Sequence, residues 1–175
     1  MIKISIKKLE KELNLKLKKN IEVLGLDLAT RTGWCLLKSD DKDIYLDYSF
    51  LDMKTLDRDK RYYFMTEFFK SLIKPNYYIV IEDTFMKLNA AGFKFLSRLG
   101  GIIYAICYFN KVKHTPVWIY ASSARKKVGI KGNTKKIDVA IFLDRIGIKI
   151  EDEDICDAIV LSLTGCIKEE VECIL

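Results

Sequence analysis

Four carboxylates occupy positions where an acid is costly unless something compensates it. Asp27 falls near the end of the apolar run IEVLGLDL (residues 21–28), just before a turn, and Glu82 follows the apolar centre of YYIVIED (residues 77–83). An ionised carboxylate in such a setting needs a cation or hydrogen bonds. Either acid alone is equally well read as a strand-end cap, but two on adjoining central strands are harder to dismiss. A second pair, Asp154 and Asp157, lies in EDEDICDAIVLS, three residues apart and therefore on one side of a helix's first turn. Acids in a first turn ordinarily just complement the helix dipole, and that reading holds for Glu151, Asp152 and Glu153. Asp157 differs, because Ala158 and an Ile-Val-Leu run follow it and turn its side toward the sheet. Two strand acids and two helix acids can share a pair of Mg²⁺ ions, for which Mn²⁺ should substitute, since these cations prefer oxygen ligands. Ions roughly 3.5–4 Å apart clamp the attacking and leaving oxygens of an in-line phosphodiester hydrolysis.

Other chemistries have little material. His114 is the only histidine, and the five cysteines form no C-x-x-C pair, so a zinc centre or a Ser-His-Asp triad is disfavoured and buried free thiols are expected. The N-terminus lacks the apolar core and cleavage site of a secretory signal, which implies a reducing, cytoplasmic setting, including that of a host cell for a virus-encoded chain. No apolar run reads as a bilayer span, and no membrane partner is expected.

The elements that must position the acids can be read from periodicity. The run at 21–28 and WCLLK form a hairpin around Ala29-Thr30-Arg31-Thr32-Gly33, and DIYLDYSFLD (43–52) is an outer strand. Residues 55–73 have helical spacing up to Pro75, and 77–83 read as a strand buried on both faces. A long helix over 89–110 contains Gly92, Gly100 and Gly101, which implies close packing, expected against another helix. VWIYA (117–121) is a fifth strand, a helix capped by Asn133-Thr134 runs to Ile146, and a last helix starts in the acidic run. Three meandering strands followed by alternating helices and parallel strands predict an α/β fold, a five-stranded mixed sheet with helices on both faces. Residues 1–20, with seven lysines against two glutamates, read as a basic N-terminal extension to a single domain over 21–175.

The net charge of +6 is segregated. Besides the N-terminus, residues 111–136 hold eight basic side chains and no acid. A solvated lysine face is the commoner meaning of such a stretch, but beside acidic clusters it also suits a polyanionic substrate.

GLDLATRTGWCLL resembles the first strand, turn and second strand of the RuvC family of Holliday junction resolvases. PNYYIVIEDTFMKLNA resembles the strand carrying that family's glutamate, and DICDAI its terminal D-x-x-D-A. The motifs occur in order, and the similarity runs from about residue 22 to about residue 168. The resemblance implies an RNase H-like fold and a homodimer that nicks four-way DNA junctions symmetrically, with Asp27, Glu82, Asp154 and Asp157 as metal ligands. It further implies stacking of Phe85 near the junction centre, and Lys126 and Lys135 as the lysines facing the scissile phosphate. Arg125, Lys127, Lys131 and Lys136 are DNA-binding alternatives, because the alignment there is loose. The lysine-rich N-terminus departs from the family pattern, as does the Arg125-Lys126-Lys127 cluster, so a broader specificity for flaps, forks or hybrids stays open. A non-cleaving junction binder keeps the fold but gives no reason for four ionisable acids. An actin-like ATPase would need a second domain and glycine-rich phosphate loops that 175 residues leave no room for.

Overall fold

The computed structural model describes residues 1–83 and 90–168. Its core is a mixed sheet of six strands in the order β1-β4-β3-β2-β5-β6. The strands are β1 (Ile2–Ser5), β2 (Glu22–Asp27), β3 (Arg31–Ser39), β4 (Asp43–Asp52), β5 (Tyr78–Glu82) and β6 (Val117–Ile119). β2, β3 and β4 meander antiparallel, β5 joins β2 in parallel and β6 joins β5 in parallel. The fold is therefore the expected mixed α/β sheet, with one strand more than the five anticipated.

That strand comes from the basic N-terminal segment. β1 pairs antiparallel with β4, from Ile2 opposite Leu46 to Ser5 opposite Asp43. Helix α1 (Ile6–Leu13) follows without a loop, and Ile6, Leu9 and Leu13, spaced three and four apart, are buried on one face. Asn14, at φ 53°, ends the helix in the left-handed region, and the chain then bridges Leu17 to Ile167. Ile4, Ile6, Leu9, Leu13 and Leu17 all belong to one hydrophobic cluster with strands β2, β3 and β4.

Helices cover both faces. α2 (Arg58–Leu72) and α3 (Ala90–Phe109) pack on the side where Leu24, Leu26, Ile79 and Ile81 point. α4 (Ala121–Lys127), α5 (Lys136–Arg145) and α6 (Glu153–Cys166) join α1 over Val23, Cys35, Leu37 and Val80. By length and composition α3 is apolar enough to cross a membrane, but it buries Leu99, Gly100, Ile103, Ile106 and Cys107 in the protein. Within the described chain, Gly100 meets a strand residue and not another helix. A Cβ on Gly100 would lie 2.4 Å from the ring of Trp118 on β6, and one on Gly101 would touch nothing. Cys35, Cys107, Cys156 and Cys166 are buried free thiols, while Cys173 lies outside the described residues.

α6 positions the acids by running unusually close to the sheet. Strand alternation puts Val23, Gly25 and Asp27 on its side, and the parallel register aligns Gly25 with Val80, hence Asp27 with Glu82. A Cβ on Gly25 would stand 2.3 Å from the Ala158 carbonyl and 2.6 Å from the Ser162 amide, so only hydrogen fits there.

Candidate metal centre

Asp27, Glu82 and Asp157 converge at the carboxyl ends of β2 and β5, with one oxygen from each within 4.8 Å of the others. Asp157 enters from the second turn of α6 and is 5% exposed. The chain builds the site with local devices. Asp152 caps α6 by accepting hydrogen bonds from the amides of Asp154 and Ile155, each 3.2 Å long. Arg31, the first residue of β3, donates to both Asp152 and Asp154, and its guanidinium lies 3.6 Å from the ring centroid of Phe50. Gly33, opposite Asp27 in the hairpin, leaves room for the backbone of Asp154, whose carbonyl a Cβ there would meet at 2.1 Å. The β2–β3 turn and the α6 N-terminus are thus locked together.

The electrostatics are those of a site short of positive charge at its centre. Burial pushes Asp27 well above the ordinary carboxylate range, and the neighbouring Glu82 and Asp157 push it the same way. Glu82 is also raised, first by burial and then by Asp157, against the lowering influence of Arg125 and Lys136. At the rim, Arg125 Nη2 donates to Asp157 Oδ1 at 2.9 Å, and its Nη1 donates to the Thr134 carbonyl at 2.9 Å. Lys136 Nζ sits 3.4 Å from both Asp154 Oδ1 and Asp157 Oδ2. Burial alone would lower the Lys136 ammonium, but Asp157, Asp27 and Asp154 outweigh it and hold it above its ordinary value.

The donor set fits a hard divalent cation. Three carboxylates without nitrogen or sulfur ligands, two of them raised by burial and by neighbouring acids, have the composition of an oxygen cage for Mg²⁺ or Mn²⁺. Asp154 stands beside this group, held by Arg31 and Lys136.

The basic residues singled out from sequence fall differently. Lys126 and Lys135 are exposed, and neither makes an ion pair with the four acids among the described residues. The cations that reach those acids are Arg125 and Lys136, each one position away, and Arg31. Lys127 and Lys131 are exposed, and Phe85 lies outside the described residues. Arg31 was missed because the sequence reads as turn there and a single charge has no periodicity to mark it, whereas it opens β3. Its one signal is placement four residues after Asp27, where the chain leaves the turn and must meet α6.

No protein-family profile matches the chain, and no curated protein matches it in sequence. Among solved structures it is similar to Thermus thermophilus RuvC, with a TM-score of 0.68 and 13% identity over 85% of this chain and 99% of that one. It is also similar to T. thermophilus RuvC in complex with a Holliday junction substrate, with a TM-score of 0.67 and 11% identity over 82% of this chain and 92% of the other. The chain has the RuvC fold, an RNase H-like α/β architecture.

Proposed function

We propose that this protein is a divalent-metal-dependent endonuclease that resolves four-way DNA junctions by paired symmetric nicks. The observation that carries the reading is the meeting of half-buried Asp27 and Glu82 with buried Asp157 at one rim of a RuvC fold, bordered by Arg125 and Lys136. Asp27, Glu82 and Asp157 would hold the cation, and Asp154, paired with Arg31 and Lys136, would be the fourth acid beside it. A divalent cation held there would supply Lewis-acid polarisation of the scissile phosphate and a water of lowered pKa. In the hydrolysis, water oxygen bonds to phosphorus, the P–O3′ bond breaks, and the products are a 5′-phosphate and a 3′-hydroxyl. Arg125 orients Asp157, and Lys136 is the ammonium positioned to meet a non-bridging phosphate oxygen. Both supply positive charge where the phosphorane gains negative charge.

Symmetric nicking needs two sites, and the outward side of α3 offers a surface for a second copy. Tyr104, Tyr108 and Phe109 are 41%, 81% and 74% exposed there. Apolar area of this kind on a helix fits a homodimer interface.

The test is a panel of four-way junction, flap, duplex and RNA/DNA hybrid with Mg²⁺ or with chelator, run on a sample whose mass light scattering gives as a dimer. The junction should be cut only with metal, and Glu82→Gln should bind it while losing roughly a hundred- to a thousandfold in rate, since electrostatic stabilisation of this kind is typically the largest contribution. Lys136→Ala should slow cleavage more than Lys126→Ala or Lys135→Ala. Normal turnover by Glu82→Gln would remove the metal centre from the chemistry, and preferential cutting of flaps or hybrids would replace the junction as substrate.

A further inference from the structure

A second basic site lies at the far end of α6 from the carboxylates. Three stretches that are distant in sequence enclose a groove of about 790 Å³, lined by Lys7, Lys11, Lys16, Lys127 and Lys168 with Glu10 as the one acid among the described residues. Lys7 and Lys11 are four apart on the outer side of α1, whose inner side buries Ile6, Leu9 and Leu13. Lys16 and Lys168 are brought together by the backbone: the Lys168 amide donates to the Lys16 carbonyl at 2.8 Å, and the Lys18 amide donates to the Cys166 carbonyl at 2.7 Å. Lys127 arrives from α4, the helix that also carries Arg125 to Asp157.

Glu10 is already committed. Its Oε1 accepts from the Leu17 amide at 3.0 Å, and its Oε2 pairs with Lys16 at 3.5 Å. That leaves Lys7, Lys11 and Lys168 exposed and without an ion-pair partner among the described residues. Gathering like charges around one concavity is unfavourable unless a polyanion answers it. The lining contains lysine but neither arginine nor an aromatic ring. Such a wall makes point-charge contacts with phosphates and lacks the bidentate or stacking groups that read bases. The groove is also larger than a single phosphate requires.

We propose that this groove is a second nucleic-acid backbone site, which grips duplex DNA away from the point of cleavage without reading its sequence. The proposal rests on the nucleic-acid reading above. From Asp157 to Cys166, where α6 ends just before Lys168, is roughly 14 Å at 1.5 Å per residue, less than half a duplex turn, so one arm of a branched substrate is long enough to span both sites. The N-terminal β1–α1 segment then adds affinity to the fold, and the carboxylates act on a strand it helps to hold.

The experiment compares the full-length protein with Lys7→Ala/Lys11→Ala/Lys168→Ala, binding a labelled four-way junction and a plain duplex in chelator between 50 and 200 mM salt. Each lost phosphate contact lowers the slope of log affinity against log salt by about 0.9. Loss of three contacts narrows the affinity gap between the two proteins by roughly fortyfold over that range. Single-turnover cleavage at saturating junction with Mg²⁺ should be unchanged, and Lys7→Arg/Lys11→Arg/Lys168→Arg should bind as the wild type does. An unchanged slope in a variant that melts normally overturns the groove while leaving the nuclease reading standing. Binding of tripolyphosphate but not duplex assigns the groove to a small anion and also overturns it. A wild-type protein that neither binds nor cuts DNA fails at the nuclease reading instead.

Discussion

At Asp27, burial and two neighbouring carboxylates act in the same direction, and all three favour the protonated acid. The unfolded chain releases that proton near the ordinary carboxylate value, whereas the folded chain holds it to higher pH. Folding is therefore unpenalised below the unfolded value, loses stability as pH rises toward the folded value, and stays penalised above it. Glu82 shifts the same way and adds to the effect. A divalent cation binds the ionised acids, so the rise in melting temperature on adding Mg²⁺ should grow from pH 5 to pH 8. In chelator at pH 8, Asp27→Asn should stabilise the fold by ~1 kcal/mol, the usual cost of a strained functional group, or roughly 2–4 °C for a chain of this size. It should also abolish most of the metal-induced shift. Calorimetry across pH, with Mg²⁺ and with chelator, measures both, and a metal shift that is largest at pH 5 would contradict the charge assignment.

The elements differ in how openly their sequences declare them. β2 and β5 are legible because each is an apolar run that stops at an acid, and parallel neighbours in one register must bring those acids side by side. Asp157 is legible from the apolar residues after it, which can only face the sheet. The first helix is not, because Ile6 belongs both to the alternation of Ile2 and Ile4 and to the helical spacing of Leu9 and Leu13, with no turn residue between. The basic residues are legible only as a group. Successive positions on α4 differ by about 100°, so a loose alignment leaves Lys126 and Arg125 as alternatives, of which Arg125 is the side chain that reaches Asp157. What the sequence hides altogether is how near α6 runs to β2. Gly25→Ala tests that contact, since its methyl would be driven into the Ala158 carbonyl and the Ser162 amide, both backbone atoms that cannot turn aside. The expected cost is about 1–3 kcal/mol or more, with loss of Mg²⁺ binding as Asp157 moves from Asp27. A Gly25→Ala protein that melts normally and binds metal normally would show that α6 has slack at this crossing.

For the molecule as a whole, the decisive question is whether the lysine-rich start of the chain is an appendage or part of the fold. Its surface has the look of the former, but its inner side does not. Ile4, Ile6, Leu9, Leu13 and Leu17 are all no more than 7% exposed, β1 closes the β4 edge of the sheet, and a Cβ on Gly147 beyond α5 would meet Lys8 Nζ at 3.3 Å. Burying an aliphatic side chain contributes roughly 1.5–3 kcal/mol, so five of them supply on the order of 10 kcal/mol, comparable with the ~5–15 kcal/mol by which a whole domain is stable. Removing residues 1–17 should therefore leave a chain that is insoluble or lacks a cooperative thermal transition, even though every carboxylate of the metal centre remains. Replacing only the outward lysines Lys7 and Lys11 should leave the melting temperature within a few degrees of wild type, because exposed substitutions ordinarily change stability by less than ~0.5 kcal/mol. Circular dichroism melts of the two proteins separate the roles. A truncated chain that is soluble and melts cooperatively would make the segment dispensable to the fold and leave its lysines as its only contribution.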